Sequence, residues 1–269
     1  MELPKESVVA GGVVNVLLLE ANKPAPVAHF LDKRVLVIND RGWWLAVVGI
    51  PLDTKAGRYD LKVKTAKKPM KFRITVKPKK YPEQHLTIKN KRMVNPNPVD
   101  LAKIKADRVI LSKALSTWSK QAIIDFSFKP PVEGRLSSRF GLRRFFNKQE
   151  KNPHSGLDIA APTGTKIKAP ATAKVINTGS YYYSGNAVFL DHGQGLITGY
   201  FHLNKINVKI GDMVKQGDIL GTVGSTGRVT GPHLHWNVYL NGTKVDPALF
   251  IAKDIPRLAA KNKKKKSKK

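Results

Sequence analysis

Short runs in which apolar and polar residues alternate, cut by turn-forming clusters, fill the first third of the chain. Residues 13–19, 34–38, 43–48, 59–63 and 71–76 read as strands. Branched and aromatic side chains are dense there, and Asn39-Asp-Arg-Gly42, Lys55-Ala-Gly57 and Lys67-Lys-Pro69 break the runs. Strands this short and this regularly spaced predict a small β-sandwich over residues 1–90. The pattern then changes. After a connecting stretch at 81–93, Asn97 offers an N-cap, Pro98 suits a first helical turn, and Leu101, Ile104, Leu111, Leu115 and Trp118 recur at helical spacing. A helix over 98–118, inside a link spanning 91–125, is predicted to pack across the regions on either side. From 126 to 253 the period returns to two, with runs at 164–169, 174–176, 187–190, 209–214 and 218–223 separated by glycines. The expected fold is mainly β: an N-terminal β-sandwich, a linking helix, and a C-terminal antiparallel β-sheet domain with a groove.

Composition adds bounds to this picture. In 269 residues, 41% hydrophobic content is enough for true cores, and the absence of cysteine excludes disulfides and thiolate metal sites. No apolar run reaches the roughly eighteen residues that a membrane span needs. Residues 7–19 come nearest, but they are short and follow Glu2, Lys5 and Glu6, where a signal peptide would carry positive charge. They are read as a first strand, with a signal segment removed ahead of this sequence and the protein periplasmic or otherwise exported. The net charge of +29 includes seven lysines in a basic tail at 254–269. Much of the rest lies in Lys62, Lys64, Lys71, Arg73 and their neighbours, alternating with apolar residues as on the solvated face of a sheet. Such a surface attracts polyanions in general, whether anionic membrane, cell wall or nucleic acid. No recognition helix, RNP motif or zinc finger accompanies it, so specific nucleic-acid binding is not expected.

Chemistry concentrates in two histidine motifs, His154-Ser-Gly-Leu-Asp158 and His233-Leu-His235 within Gly231-Pro-His-Leu-His-Trp236. Imidazole nitrogens and one carboxylate suit a zinc ion, with a histidine left over for proton transfer. Side chains two apart on a strand share a face, so His233 and His235 can approach one ion together. His202, closing the run Thr198-Gly-Tyr-Phe-His-Leu203, is a further candidate. A histidine and an aspartate four apart would ordinarily be an exposed turn, but all five residues here fall in strands or at strand edges. His192, at a strand-to-turn position, is read as a packing or hydrogen-bonding residue, and His29 and His85 as ordinary surface or half-buried positions. Tyr181-Tyr-Tyr183 could flank a groove or simply pack.

Over residues 134–250 the sequence resembles the lysostaphin-like, LytM-type zinc endopeptidases that cut peptidoglycan cross-links. The motifs are Ser137-Ser-Arg-Phe-Gly-Leu-Arg143, His154-x-x-x-Asp158, Asp191-His-Gly-Gln-Gly195, Tyr200-Phe-His-Leu203, Gly224-Ser-Thr-Gly227 and Thr230-Gly-Pro-His-Leu-His235. The first ninety residues resemble the β domain that precedes the peptidase in some Gram-negative members. Carried over by position, the resemblance implies His154, Asp158 and His235 as zinc ligands and His202 and His233 as catalytic histidines, without dividing tasks between those two. Three protein ligands leave a fourth position where water becomes acidic, with a pKa of about 7. No H-E-x-x-H helix is present, so a glutamate base of the thermolysin kind is not expected.

Two functions from different classes follow. One is a monomeric endopeptidase hydrolysing amides in peptidoglycan stem or cross-link peptides. The other is a catalytically silent LytM-like module that activates cell-wall amidases. Silent relatives typically lose ligands or catalytic histidines, and all five residues are present here, which favours the enzyme. Glycine bridges and D-alanyl cross-links remain equally open as substrates. The preceding domain and helix are expected either to hold the wall polymer or to cover the groove.

Overall fold

The structure is a computed structural model that describes residues 2–22, 24–65, 68–120, 124–251 and 255. Residues 121–123 of the predicted link and the basic tail apart from Ile255 therefore lie outside the described residues. Six strands come first: β1 (Val13–Glu20), β2 (Val27–Phe30), β3 (Lys33–Asp40), β4 (Trp43–Gly49), β5 (Gly57–Lys64) and β6 (Pro69–Val76). They form one antiparallel path, β1-β4-β3-β2-β5-β6, rather than two unconnected layers. The two halves join at β3, which pairs with β2 through Lys33–Val35 and with β4 from Leu36 onward.

The middle of β3 explains the assembly of the whole chain. Val35, Leu36, Val37 and Ile38 are all buried, although alternate residues point to opposite faces. Val35 and Val37 pack with Ala46, Val48, Phe30 and Leu61 in the core of the first domain. Leu36 and Ile38, with Leu45 and Val47 of β4, belong instead to the large core they share with Trp236, Val238 and Leu240. A sheet buried on both faces reads as a continuous apolar run, which is what Val-Leu-Val-Ile and Leu-Ala-Val-Val are. Polar bonds fix the same seam. The Asn241 side chain accepts from Gly49 N at 2.8 Å and donates to Gly49 O at 3.1 Å, and Val37 N donates to the Gln194 side chain at 3.1 Å.

The connection is more structured than predicted. Residues Glu83–Leu86 form β7, which runs parallel to β9 (Arg143–Phe146) in a small sheet completed by β10 (Gln149–Lys151). The helix α1 covers Pro98–Leu115 and opens with a full capping box between Asn97 and Asp100. It ends three residues before Trp118, whose ring instead stacks beneath the Arg34 guanidinium of the first domain at 4.4 Å. Its apolar face is narrower than the sequence pattern implied: Ile104 is buried, Leu111 and Leu115 pack on the sheet, and Leu101 is 54% exposed.

The second domain contains β8 (Arg135–Ser138), β11 (Leu157–Ala160), β12 (Lys166–Lys168), β13 (Ala173–Tyr181), β14 (Gly185–Asp191), β15 (Ile197–Ile206), β16 (Met213–Val214), β17 (Ile219–Val223), β18 (Leu234–Leu240) and β19 (Thr243–Val245). The central order is β16-β13-β14-β15-β18-β11-β8, all antiparallel, with β12 and β17 as a side ladder. Alternation along these strands sorts the residues between two faces. Val188, Leu190, Tyr200 and Trp236 enter the large core, whereas Ala187, Phe189, Phe201 and Tyr239 form a second cluster against which Leu111 and Leu115 of α1 pack.

Because one core serves both domains, Leu36→Ala should cost about 2 to 5 kcal/mol. It should also raise amide exchange in β18 as well as in β4. Faster exchange confined to residues 13–76 would show that the domains unfold independently.

Candidate metal centre

The groove face of the second domain gathers the polar residues singled out in the sequence. On β11, Leu157 and Ile159 point into the large core, so Asp158 points to the opposite face; on β18, Leu234 and Trp236 do the same to His235. Asp158 and His235 are register partners on adjacent antiparallel strands, and His235 Nδ1 lies 2.6 Å from Asp158 Oδ1. His154 arrives from the loop before β11, held by backbone bonds from its N to Leu142 O and from Gly141 N to its own O. Its Nε2 is 2.9 Å from Asp158 Oδ1 and 3.0 Å from His235 Nδ1. Gly156 permits this closeness: a Cβ there would meet Asn237 Oδ1 at 2.1 Å and His235 Nε2 at 2.8 Å.

His202 reaches the same face by a different device. Between the register pairs Tyr200↔Val188 and Leu203↔Asn186, Phe201 and His202 oppose the single residue Ala187. Such a bulge abandons strict alternation, and His202 takes a left-handed φ of 66°. Both consecutive side chains then flank His235, with ring centroids 5.4 Å away for Phe201 and 6.0 Å for His202. His233, just ahead of β18, places its Nε2 3.7 Å from Asp158 Oδ1 and its ring 4.9 Å from that of His202.

Backbone carbonyls settle the tautomers. His202 Nδ1 donates to Thr226 O at 2.8 Å, His233 Nδ1 to Gly231 O at 2.8 Å, and His154 Nδ1 to Arg139 O at 2.5 Å. In the neutral form of each ring the other nitrogen, Nε2, is then the acceptor. Burial, reinforced by His233 and His235, pushes the His202 pKa down to about 3, and burial brings His235 to about 4. For Asp158, burial opposes ionisation, but His154 and His235 outweigh it and hold the carboxyl well below its usual range. The second carboxylate oxygen of Asp158 accepts from Arg144 Nη2 at 2.6 Å.

A cation fits this donor set. His154 Nε2 and His235 Nδ1 both lie within 3 Å of Asp158 Oδ1, so two imidazole nitrogens and a carboxylate oxygen, donors that suit a divalent ion, converge on one point. Among the described residues, His154, Asp158 and His235 are the group of this kind able to hold a metal, their ligand atoms lying within 4.8 Å of one another. His192 is elsewhere, buried against Phe128 and hydrogen-bonded to Thr198 Oγ1 at 2.9 Å. His29 is half-buried in β2, and His85 stacks on Phe145 at 4.7 Å. The cavity beside the cluster, about 320 Å³, is lined by His154, His202, His235, Tyr183, Phe201 and, from α1, Leu111 and Leu115. The three tyrosines have three tasks: Tyr181 is core, Tyr182 bonds to Arg92 O and Asp107, and Tyr183 faces the cavity.

The sequence motifs do not single out Arg144. It directly follows the motif ending at Arg143, and on β9 the two neighbours point oppositely. Arg143 pairs with Glu83 and Glu150 in solvent, while Arg144 turns inward to Asp158, Gln84 and Ser138. Nothing in the sequence marks which of two adjacent arginines faces inward.

The fold and the donor cluster together define a β-sheet metallopeptidase architecture. The chain belongs to peptidase family M23: that family's pattern matches residues 152–247, and the pattern of the peptidase family M23 N-terminal domain matches residues 6–77. The crystal structure of an M23 peptidase from Pseudomonas aeruginosa is 42% identical, covers 91% of this chain and 95% of its own, and superposes with a TM-score of 0.77. Among curated relatives, the DD-carboxypeptidase/endopeptidase Mpg of Neisseria meningitidis is 39% identical over 51% of this chain and 32% of its own. The peptidoglycan DD-endopeptidase ShyA of Vibrio cholerae is 38% identical over 47% of this chain and 31% of its own. The chain thus spans about a third of the length of these curated relatives.

Replacing Arg144 with methionine removes the partner of Asp158 while keeping the bulk. By comparison with other residues that orient metal-binding side chains, affinity for a divalent ion should fall about 10- to 100-fold. Competition against a chromophoric chelator reads this directly, and an unchanged affinity would reduce Arg144 to a packing role.

Proposed function

We propose that this chain is a zinc-dependent endopeptidase that hydrolyses amide bonds in peptidoglycan stem or cross-link peptides, acting in the periplasm or otherwise outside the cytoplasm. The observation that carries the reading is the convergence of three metal-capable donors with two further histidines, His233 with its Nε2 3.7 Å from Asp158 Oδ1 and His202 with its ring 4.9 Å from that of His233. In this reading His154 Nε2, Asp158 Oδ1 and His235 Nδ1 hold the ion. Zinc, when bound, supplies a Lewis acid and acidifies a water, which is the chemistry that amide hydrolysis needs. His202 and His233 accept a proton through Nε2 and return it to the leaving amine, their orientation fixed by the carbonyls of Thr226 and Gly231. Each histidine, once protonated, is also placed to steady negative charge on the substrate carbonyl oxygen. The DD-endopeptidase names of the relatives support a DD cross-link over a glycine bridge as the bond cut. The silent-regulator alternative is disfavoured because none of the five residues is missing.

Digestion of purified sacculi, with mass analysis of the released peptides, tests the proposal. Zinc-loaded protein should release peptides cut at the cross-link, and intact sacculi after prolonged incubation would sink the enzyme reading. Variants separate the roles. His235→Ala should lose metal and turnover together, whereas His202→Ala and His233→Ala should bind one equivalent of zinc yet lose about 10²- to 10⁴-fold in rate.

The helix α1 bears on access to this cavity, since Leu111 and Leu115 form part of its wall. It is latched to the β13–β14 turn by Asp107, which accepts from Tyr182 N at 2.7 Å and from Lys103, itself bonded to Ser180 O. In our reading the helix restricts entry of polymeric substrate, so Asp107→Ala should loosen it and speed sacculus digestion several-fold. A slower rate with the fold intact would make the helix a substrate support instead.

A further inference from the structure

Arg228 follows β17 in the loop Gly224-Ser-Thr-Gly-Arg228 and is held in an unusual way for a half-buried cation. Its guanidinium lies 4.2 Å from the Tyr183 ring centroid and 4.9 Å from that of Phe146. One N–H reaches Met93 O at 3.4 Å, and no carboxylate among the described residues pairs with it. Five N–H donors in a planar fork are therefore mostly unspent, in a position where both aromatic faces fix the plane. Burial lowers its pKa, as expected for a cation stripped of water without a counter-charge.

Its place in the surface is equally specific. Arg228 lines the cavity that carries His154, His202 and His235, and also the adjoining cavity of about 790 Å³ bounded by Asn152, Pro153 and Ser184. An extended ligand passing from one to the other must cross it. The acids nearby are already committed: Asp158 to Arg144, Glu150 to Arg143, and Asp107 to Lys103. Lys244, on the same cavity wall, donates to Ser155 Oγ at 3.0 Å and likewise has no carboxylate partner among the described residues. The lining thus has positive charge in excess and polar donors waiting for an anion.

We infer that Arg228 is a specificity-determining residue that binds a carboxylate of an acidic peptide substrate beside the scissile amide. The inference rests on the peptidase reading above, and it adds the chemical class the site selects: a peptide carrying a free carboxylate close to the bond cut. The planar fork matches the two carboxylate oxygens, and the contacts with the Tyr183 and Phe146 rings spare part of the entropy of ordering a long side chain. Lys244 adds to the same field.

The test uses the full zinc-loaded chain and two cross-linked peptides in which a ketomethylene group replaces the scissile amide, so that neither can turn over. They differ only in whether the neighbouring carboxyl group is free or a primary amide. Calorimetry should show wild type binding the free acid at least about 10-fold more tightly, the scale of a charge-assisted hydrogen bond. In Arg228→Gln the ratio should collapse toward one, and Arg228→Lys should retain only part of it. Because the ratio is taken within one protein, a smaller folded fraction cancels. Equal binding of the two peptides by wild type, no binding of either, or an undiminished ratio in Arg228→Gln would each overturn the proposal. Hydrolysis of the amide-linked peptide is followed separately, so failure of the peptidase reading and failure of carboxylate selection are told apart.

Discussion

A buried carboxylate at the meeting point of two strands sets the terms for the rest of this molecule. Asp158 has its first oxygen within 3 Å of two imidazoles and its second on Arg144. A charge taken out of water at such a place costs several kcal/mol unless it is paired and fully bonded. Each partner comes from a separate segment: the loop before β11, β18 across the sheet, and the β9 hairpin, which is itself anchored by β7. The close approach at Gly156 and the inward turn of Arg144 both serve this pairing. The bulge at His202 and the turn before β18 then bring two further imidazoles to the same face.

The two faces of the central sheet divide labour. One face is sealed by the large core, whose far side is formed by β3 and β4 of the first domain. That domain is therefore part of the scaffold that supports β18 from below, through Leu36, Ile38 and the Asn241–Gly49 bonds. The other face is partly covered by α1 and otherwise left as cavities. A face sealed by the core and a face left with cavities suit a site that must hold its geometry closely while staying accessible. The charge follows the same division. Most of the positive excess is solvated, whereas Arg144, Arg228 and Lys244 are partly desolvated and oriented.

What the amino-acid sequence determined by itself is local. The alternation of apolar and polar residues marked most strands, Asn97 and Pro98 marked the start of the helix, and the types and spacing of His154, Asp158, His233 and His235 marked side chains that the fold gathers into one cluster. These are properties of a few consecutive residues, governed by backbone geometry and by what each side chain can bond. Only tertiary structure decided which partners meet. The apolar runs of β3 and β4 do not reveal that their second face belongs to another domain, because a doubly buried strand looks the same whatever covers it. Leu101 fits the helical stripe as well as Ile104 does, yet only Ile104 is buried. Strict alternation would have set His202 opposite Phe201, and a two-against-one bulge put them together. Arg144 and Arg228 carry no local signal, since their roles arise from contacts with residues 14 and 45 or more positions away, Asp158 for one and Tyr183 for the other. Long-range packing, not propensity, chose them.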